Sequence, residues 1–142
     1  MTKKVKIFVF DLDGTLADTA PALLNAGNQV LKSIGRKPIK LEQYKGFIGG
    51  GTKKQVEKLL LSTGGIPECG LDLYFKLFQD RYYADPVKDC FLYEGVLELL
   101  EFLKKKGIKS TICTQKFEGS AKKLLLHLNI YQYFDGFAYG DS

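Results

Sequence analysis

The sequence predicts an α/β fold in which a parallel sheet is interrupted by an all-helical insert, and three observations predict it. An apolar, β-branched run over residues 5–10 ends at a polar turn, as a strand buried on both faces of a parallel sheet does. Residues 18–85 show helical periodicity instead. After residue 86 the pattern becomes helix, strand, helix and strand, which is the order of a parallel crossover.

The helices of the insert have separate signals. Apolar residues of segment 20–34 fall on one helical face, with Pro21 in the first turn and Gly35 at the end. Shorter periodic segments predict helices over 41–45, 52–62 and 72–83. The segments 16–18 and 85–93, which flank the insert, are the expected hinges.

The second half of the sheet region is marked just as clearly. Apolar residues from Val96 to Leu103 recur at helical spacing, and lysines close the last turn before Gly107. A strand over 108–114, a helix over 119–128 and a last strand over 137–139 are expected to follow.

Composition favours a globular cytoplasmic protein. The 142 residues are 45% hydrophobic, enough for a real core, and no stretch has the length of a membrane span. Three widely spaced cysteines form neither a metal-binding pair nor a disulfide pattern, so we expect reduced thiols. The formal charge of +5 includes only two arginines among scattered lysines, which argues against a nucleic-acid partner.

The string Phe10–Leu16 places Asp11 and Asp13 two residues apart at the carboxyl end of a predicted strand, where open α/β sheets build their sites. If Asp11 attacks a phosphoryl group, Asp13 can protonate the leaving oxygen, and Gly14 lets the backbone approach the phosphate. Mg²⁺ suits these hard oxygen ligands and would offset the repulsion between carboxylate and phosphate. The plain alternative is an Asp-Gly turn that the first aspartate caps.

This string and the start of the helix that follows it resemble the first motif of the haloacid dehalogenase superfamily. The resemblance extends along nearly the whole chain and is strongest to the phosphoglycolate phosphatase-like branch. The segment Ser110–Lys116 is similar to the second motif. The resemblance implies a Rossmann-like core over 1–17 and 86–142, with a helical cap over 18–85. It also implies site residues, which are Asp11 and Asp13 for catalysis and metal binding, and Gly14, Thr15, Thr114, Gln115 and Lys116 for phosphate. For Lys116, a plain surface lysine is an equal alternative.

The triple glycine at residues 49–51 precedes a predicted helix and is a near miss for a nucleotide-binding loop, because Thr52 comes before Lys53 rather than after it. One interpretation is a flexible turn with Thr52 capping the helix. Resemblance to cap domains implies another, in which this loop faces the core and Lys53 touches the substrate.

The third and fourth motifs of the family, a lysine and a set of acidic metal ligands, have no clear match, and the string Gly140–Ser142 follows Thr114 too closely to be the fourth. We therefore expect a core that is incomplete at its C-terminal half, with the first strand at an edge of the sheet. An apolar edge strand predicts a homodimer or a complementing second chain, or reduced stability.

The resemblance implies a Mg²⁺-dependent phosphatase of a small phosphorylated metabolite such as phosphoglycolate, acting through an aspartyl-phosphate. Two alternatives stay open. The chain can be a catalytically incomplete fragment that serves as a binding or interaction domain, or a phosphomutase related to β-phosphoglucomutase. No membrane partner is expected.

Overall fold

The computed structural model describes residues 3–142, which divide into two compact units. The sheet unit consists of the residues up to Thr19 together with Cys90–Ser142, and the helical unit is Ala20–Asp89. These divisions fall a few residues after the predicted boundaries at 17 and 85. Within residues 3–142, no helix has the length and apolar character that crossing a membrane requires.

The secondary structure agrees closely with the sequence-based elements. In chain order, it consists of β1 (Ile7–Phe10), β2 (Ala17–Asp18), α1 (Ala20–Ser33), α2 (Leu41–Lys45), α3 (Thr52–Ser62), α4 (Leu71–Ala84), β3 (Phe91–Leu92), α5 (Val96–Lys105), β4 (Lys109–Cys113), α6 (Glu118–His127), a 3-10 helix (Tyr131–Tyr133) and β5 (Gly136–Ala138).

The sheet unit is built on a three-stranded parallel sheet with the order β1-β4-β5. Ile7 lies opposite Lys109 and Phe10 opposite Ile112, while Thr111 lies opposite Gly136. Helix α6 connects β4 to β5, and α5 packs against β4. The predicted α/β class with a parallel sheet is confirmed.

A two-residue antiparallel ribbon was missed by the sequence analysis. Ala17 pairs with Leu92 and Asp18 with Phe91, so β2 and β3 join the two segments where the chain leaves and re-enters the sheet unit. Both segments were expected only as hinges. Strands of two residues are too short to show an alternating pattern, which explains the miss.

The prediction that the first strand is buried on both faces is wrong. Val5, Ile7 and Val9 are 61%, 52% and 67% exposed. The physical reason is that, among the described elements, β1 makes extensive contact only with β4, so no helix covers the faces to which these side chains point. Its apolar composition therefore does not translate into burial, and β1 lies at the edge of the sheet as expected.

The helical unit packs α1 against α2, α3 and α4 around a buried tyrosine. Tyr44 is fully buried, and its hydroxyl donates to Gln55 Oε1 at 3.1 Å. Burial raises the pKa of Tyr44, so the phenol stays neutral. Gly27 of α1 faces the same ring, because a Cβ there would lie 3.0 Å from Tyr44 and 3.2 Å from Leu59.

The end of α3 is held by an arginine from outside the helix. The Arg36 guanidinium donates to the Leu60 carbonyl at 3.0 Å, to Thr63 Oγ1 at 3.1 Å and to the Gly65 carbonyl at 2.6 Å. These bonds tie Arg36 to the turn that follows α3, where the Leu60 carbonyl also accepts from the N–H groups of Thr63 and Gly65. The start of α3 differs from one prediction, since Gly51 occupies the cap position without a side-chain bond and Thr52 is already helical.

Gly27→Ala is expected to lower the free energy of unfolding by about 1 kcal/mol, because overlap with the anchored Tyr44 ring outweighs the gain in helix propensity. Urea unfolding, monitored by circular dichroism, measures this free energy. Gly119→Ala is the matched control, since a Cβ on this helical glycine of α6 would have no atom within 4 Å and the substitution should cost nothing. Equal effects of the two substitutions would contradict the close packing at Gly27.

Candidate active site

The two aspartates of the first motif follow β1 directly. Asp11 is the first residue after the strand and is exposed, and its Oδ1 accepts a hydrogen bond from the Leu12 backbone N–H at 2.8 Å. Asp13 is half-buried, with a side chain 35% exposed. Both carboxylates thus lie at the carboxyl end of a parallel strand, the edge where such sheets form their sites.

The turn that carries these aspartates is wound around one buried residue. Leu12 is fully buried, and its carbonyl accepts from the N–H groups of Thr15 and Leu16 at 3.2 and 3.0 Å. Gly14 has φ +76° and donates to the Ala17 carbonyl at 2.9 Å. A positive φ of this size favours glycine, so Gly14 is required by the turn itself. The side chain of Thr15 is exposed.

Thr114 follows β4, the neighbour of β1, and is buried. Its N–H donates to the Ala138 carbonyl at 3.0 Å, and its Oγ1 accepts from the Lys116 N–H at 3.1 Å. Because β1 and β4 are parallel and in register, their carboxyl ends lie side by side. The first and second motifs therefore meet at one edge of the sheet.

Lys116 provides the direct contact between the two motifs. Its Nζ lies 2.9 Å from Asp13 Oδ1, and its side chain is only 9% exposed. The alternative of a plain surface lysine is wrong, because the ammonium is directed at the aspartate pair rather than into solvent. Gln115, between Thr114 and Lys116, is exposed.

A glycine that the sequence analysis did not select holds the second-motif loop. The N–H of Gly140 donates to the Lys116 carbonyl at 3.0 Å. A Cβ on residue 140 would lie 2.0 Å from the Gln115 carbonyl oxygen, which no real structure tolerates. Residue 140 must therefore be glycine, and only the packing of two loops distant in sequence shows it.

Lys53 lies in the helical unit, where its ammonium pairs with Asp72 at 2.6 Å and its side chain is 54% exposed. The glycine loop before it, together with Leu71 and Phe75, lines an open cavity of about 460 Å³ within that unit. The structure thus places Lys53 at a concave surface of the helical unit, and its contact with substrate stays a prediction.

The metal ligands predicted from sequence are a minimal set. Among residues 3–142, no group of three or more acidic, histidine or cysteine side chains is arranged to hold a metal. Asp141 is part of a cap, because its Oδ1 accepts from the Glu118 N–H at 2.9 Å at the start of α6. Two aspartate oxygens still fit Mg²⁺, which commonly uses one or two carboxylates and keeps several waters.

Residues 8–142 match the family model described as haloacid dehalogenase-like hydrolase. The chain belongs to this family. It is 37% identical to the phosphoglycolate phosphatase of Rhodobacter capsulatus over 94% of its own length and 61% of that protein. It is 33% identical to phosphoglycolate phosphatase 1 of Pseudomonas aeruginosa over 99% of its own length and 53% of that protein.

Solved structures agree with this assignment. A predicted phosphoglycolate phosphatase from Haemophilus somnus superposes with a TM-score of 0.82 at 25% identity, covering 100% of this chain and 65% of that one. A candidate β-phosphoglucomutase from Thermotoga maritima gives 0.72 at 26% identity, covering 96% and 62%. The chain therefore spans between about half and two thirds of the length of these haloacid dehalogenase-like relatives.

Asp141→Ala is expected to lower the free energy of unfolding by about 1 kcal/mol, because it removes the acceptor that caps α6. Asp141→Asn keeps an oxygen acceptor and should cost much less. Thermal unfolding compares the stability of the two variants, and calorimetric titration with Mg²⁺ measures their affinity for the ion. A loss of Mg²⁺ affinity in Asp141→Ala without a loss of stability would show that Asp141 is a metal ligand instead.

Proposed function

We propose that this protein is a Mg²⁺-dependent phosphatase that acts on a small phosphorylated metabolite through an aspartyl-phosphate. The observation that carries the proposal is the meeting of the two motifs, in which Asp11 and the ion pair between Asp13 and Lys116 lie at the carboxyl edge of β1 and β4. Membership of the hydrolase family and the phosphoglycolate phosphatase relatives support the same reaction class.

The proposed reaction has two steps, which are formation of the aspartyl-phosphate and its hydrolysis. An Asp11 carboxylate oxygen attacks phosphorus, the bond from phosphorus to the substrate oxygen breaks, and Asp13 gives that leaving oxygen a proton. In the second step a water attacks phosphorus while Asp13 takes its proton, and the bond to Asp11 breaks to release phosphate. Thr114, Lys116 and the backbone at Gly14 and Thr15 are suited to bind phosphoryl oxygens.

Mg²⁺ would be held by Asp11 and Asp13, and when bound it supplies the positive charge that offsets the developing negative charge on the phosphoryl group. The haloacid dehalogenase-like phosphatases generally use this ion. With only these two protein ligands in the described residues, we expect weak binding.

Phosphoglycolate is the substrate class that we propose, because the relatives named above are phosphoglycolate phosphatases. A role of Lys53 in substrate choice stays a prediction from the resemblance to cap domains. A cytoplasmic location is also proposed, and it fits the free thiols of Cys69 and Cys113.

A phosphomutase is the second candidate, supported by the structural similarity to the Thermotoga maritima protein. It would use the same aspartyl-phosphate but pass the phosphoryl group to a sugar hydroxyl rather than to water. The third candidate is a catalytically incomplete binding or interaction domain, which the small number of metal ligands within residues 3–142 favours.

Asp11→Asn is expected to abolish Mg²⁺-dependent phosphate release, because an amide cannot act as the nucleophile. The measurement is release of inorganic phosphate from phosphoglycolate and a panel of other phosphomonoesters, with and without Mg²⁺. Asp80→Asn is the matched control, since Asp80 is an exposed aspartate of α4 that pairs with Lys76 at 3.8 Å. Turnover that survives Asp11→Asn would exclude this nucleophile, and no turnover in the parent chain would favour the binding domain.

The exposed first strand supports a proposal about partners. Edge strands present unpaired N–H and C=O groups that bind another strand, and β1 combines such an edge with exposed Ile7 and Val9. We propose that a second polypeptide pairs with β1, either another copy of the chain or a complementing one. A nucleic-acid partner is not part of the proposal, because the basic charge consists mainly of scattered lysines.

Val9→Lys is expected to shift the chain from dimer towards monomer, because a charge on the edge strand opposes pairing. Light scattering after size-exclusion chromatography measures the molar mass across a concentration series. Leu61→Lys is the matched control, since Leu61 of the helical unit is 57% exposed and lies away from β1 in sequence. A parent chain that stays monomeric at the highest concentration would rule out the homodimer.

A further inference from the structure

The ion pair between Lys116 and Asp13 differs from the ordinary ion pairs of this protein. The lysines of the Lys122–Glu118 and Lys76–Asp80 pairs are 44% and 77% exposed, as surface lysines usually are. The Lys116 side chain is 9% exposed. Exposed pairs contribute little and form and break freely, whereas a sheltered ammonium interacts strongly with any anion beside it.

The position of Lys116 is imposed by the backbone around it. Its N–H donates to Thr114 Oγ1, and its carbonyl accepts from Gly140, whose lack of a side chain allows the close approach to Gln115. These contacts fix the backbone of Lys116, and from this backbone the side chain extends to Asp13.

The proposed reaction puts two anions in competition for this ammonium. One is Asp13, whose Oδ1 lies 2.9 Å from Lys116 Nζ. A phosphate dianion bound near Thr114 carries twice the charge of a carboxylate, so it attracts the ammonium more strongly at a similar distance. The buried stem of Lys116 lets the ammonium turn between two neighbouring acceptors without leaving the site.

We propose that Lys116 is an exchangeable counter-ion, whose ammonium pairs with Asp13 and turns to the phosphoryl oxygens when phosphate binds. The inference rests on the proposed phosphoryl site and deepens it. The exchange neutralises part of the incoming charge and ends the ion pair between Lys116 and Asp13.

A double-mutant cycle on the 142-residue chain tests the exchange through binding of inorganic phosphate without Mg²⁺. Calorimetry or phosphorus NMR at fixed ionic strength gives the dissociation constant for the parent, Asp13→Asn, Lys116→Met and the double variant. Lys116→Met is expected to weaken binding about tenfold, because a charge-assisted hydrogen bond is lost. Asp13→Asn is expected to tighten it severalfold, because the competing carboxylate is gone.

The coupling between the two substitutions decides the question. Exchange predicts that Asp13→Asn tightens binding far less when Lys116 is already methionine, since no ammonium is left to release. Equal tightening in both backgrounds would mean simple repulsion and would overturn the proposal, as would unchanged affinity in Lys116→Met. Lys116→Arg, which keeps the charge, should retain most of the affinity.

Control variants distinguish a change in phosphate affinity from unfolding of the chain and from a failure of the proposed function. Lys122→Met makes the same change in an exposed pair of the sheet unit and should leave phosphate affinity unchanged. Lys116→Gln replaces Lys116→Met if the latter unfolds in urea at a lower midpoint than the parent. If the two substitutions are coupled in phosphate binding but the chain releases no phosphate from any ester, the exchange is supported and the proposed phosphatase activity is contradicted. If the parent chain has turnover but does not bind inorganic phosphate, only the exchange is contradicted.

Discussion

The parallel pairing of β1 with β4 is the contact on which the candidate site depends. The two strands are separated by about a hundred residues, yet their register brings the segment after Phe10 beside the segment after Cys113. The first and second motifs become neighbours only through this pairing. The β2–β3 ribbon adds an antiparallel link in the same unit, at the point where the chain departs and returns.

Around that pairing, the loops are arranged by hydrogen bonds and by two glycines with different roles. Gly14 supplies a positive φ that the turn after Asp13 requires, and Gly140 supplies space for the Gln115 carbonyl. The result is a site in which a sheltered cation, Lys116, lies against one of two carboxylates. The positive charge of Lys116 thus partly balances the negative charge of the aspartate pair, which suits the proposed binding of a phosphate dianion.

The elements were predicted well from sequence because their signals are local. Helix α3 begins and ends as its periodicity indicates, and α2 does so as well. The burial of β1 was predicted wrongly because burial depends on neighbours, and β4 is the strand that pairs with it among the described residues. The ribbon of β2 and β3 was missed because two residues carry no pattern. Whether Lys53 contacts the substrate depends on tertiary contacts, which local sequence patterns do not specify.

The sequence by itself determined the family, the parallel α/β core, the helical insert and the position of the aspartate pair. Each of these is indicated by a short sequence motif or by the periodic spacing of apolar residues. The tertiary structure decided three further points, which are the contact of Lys116 with Asp13, the requirement for Gly140 and the exposure of β1. Each of these depends on residues far apart in the chain. Such contacts arise only when the strands pair, and no local pattern encodes them.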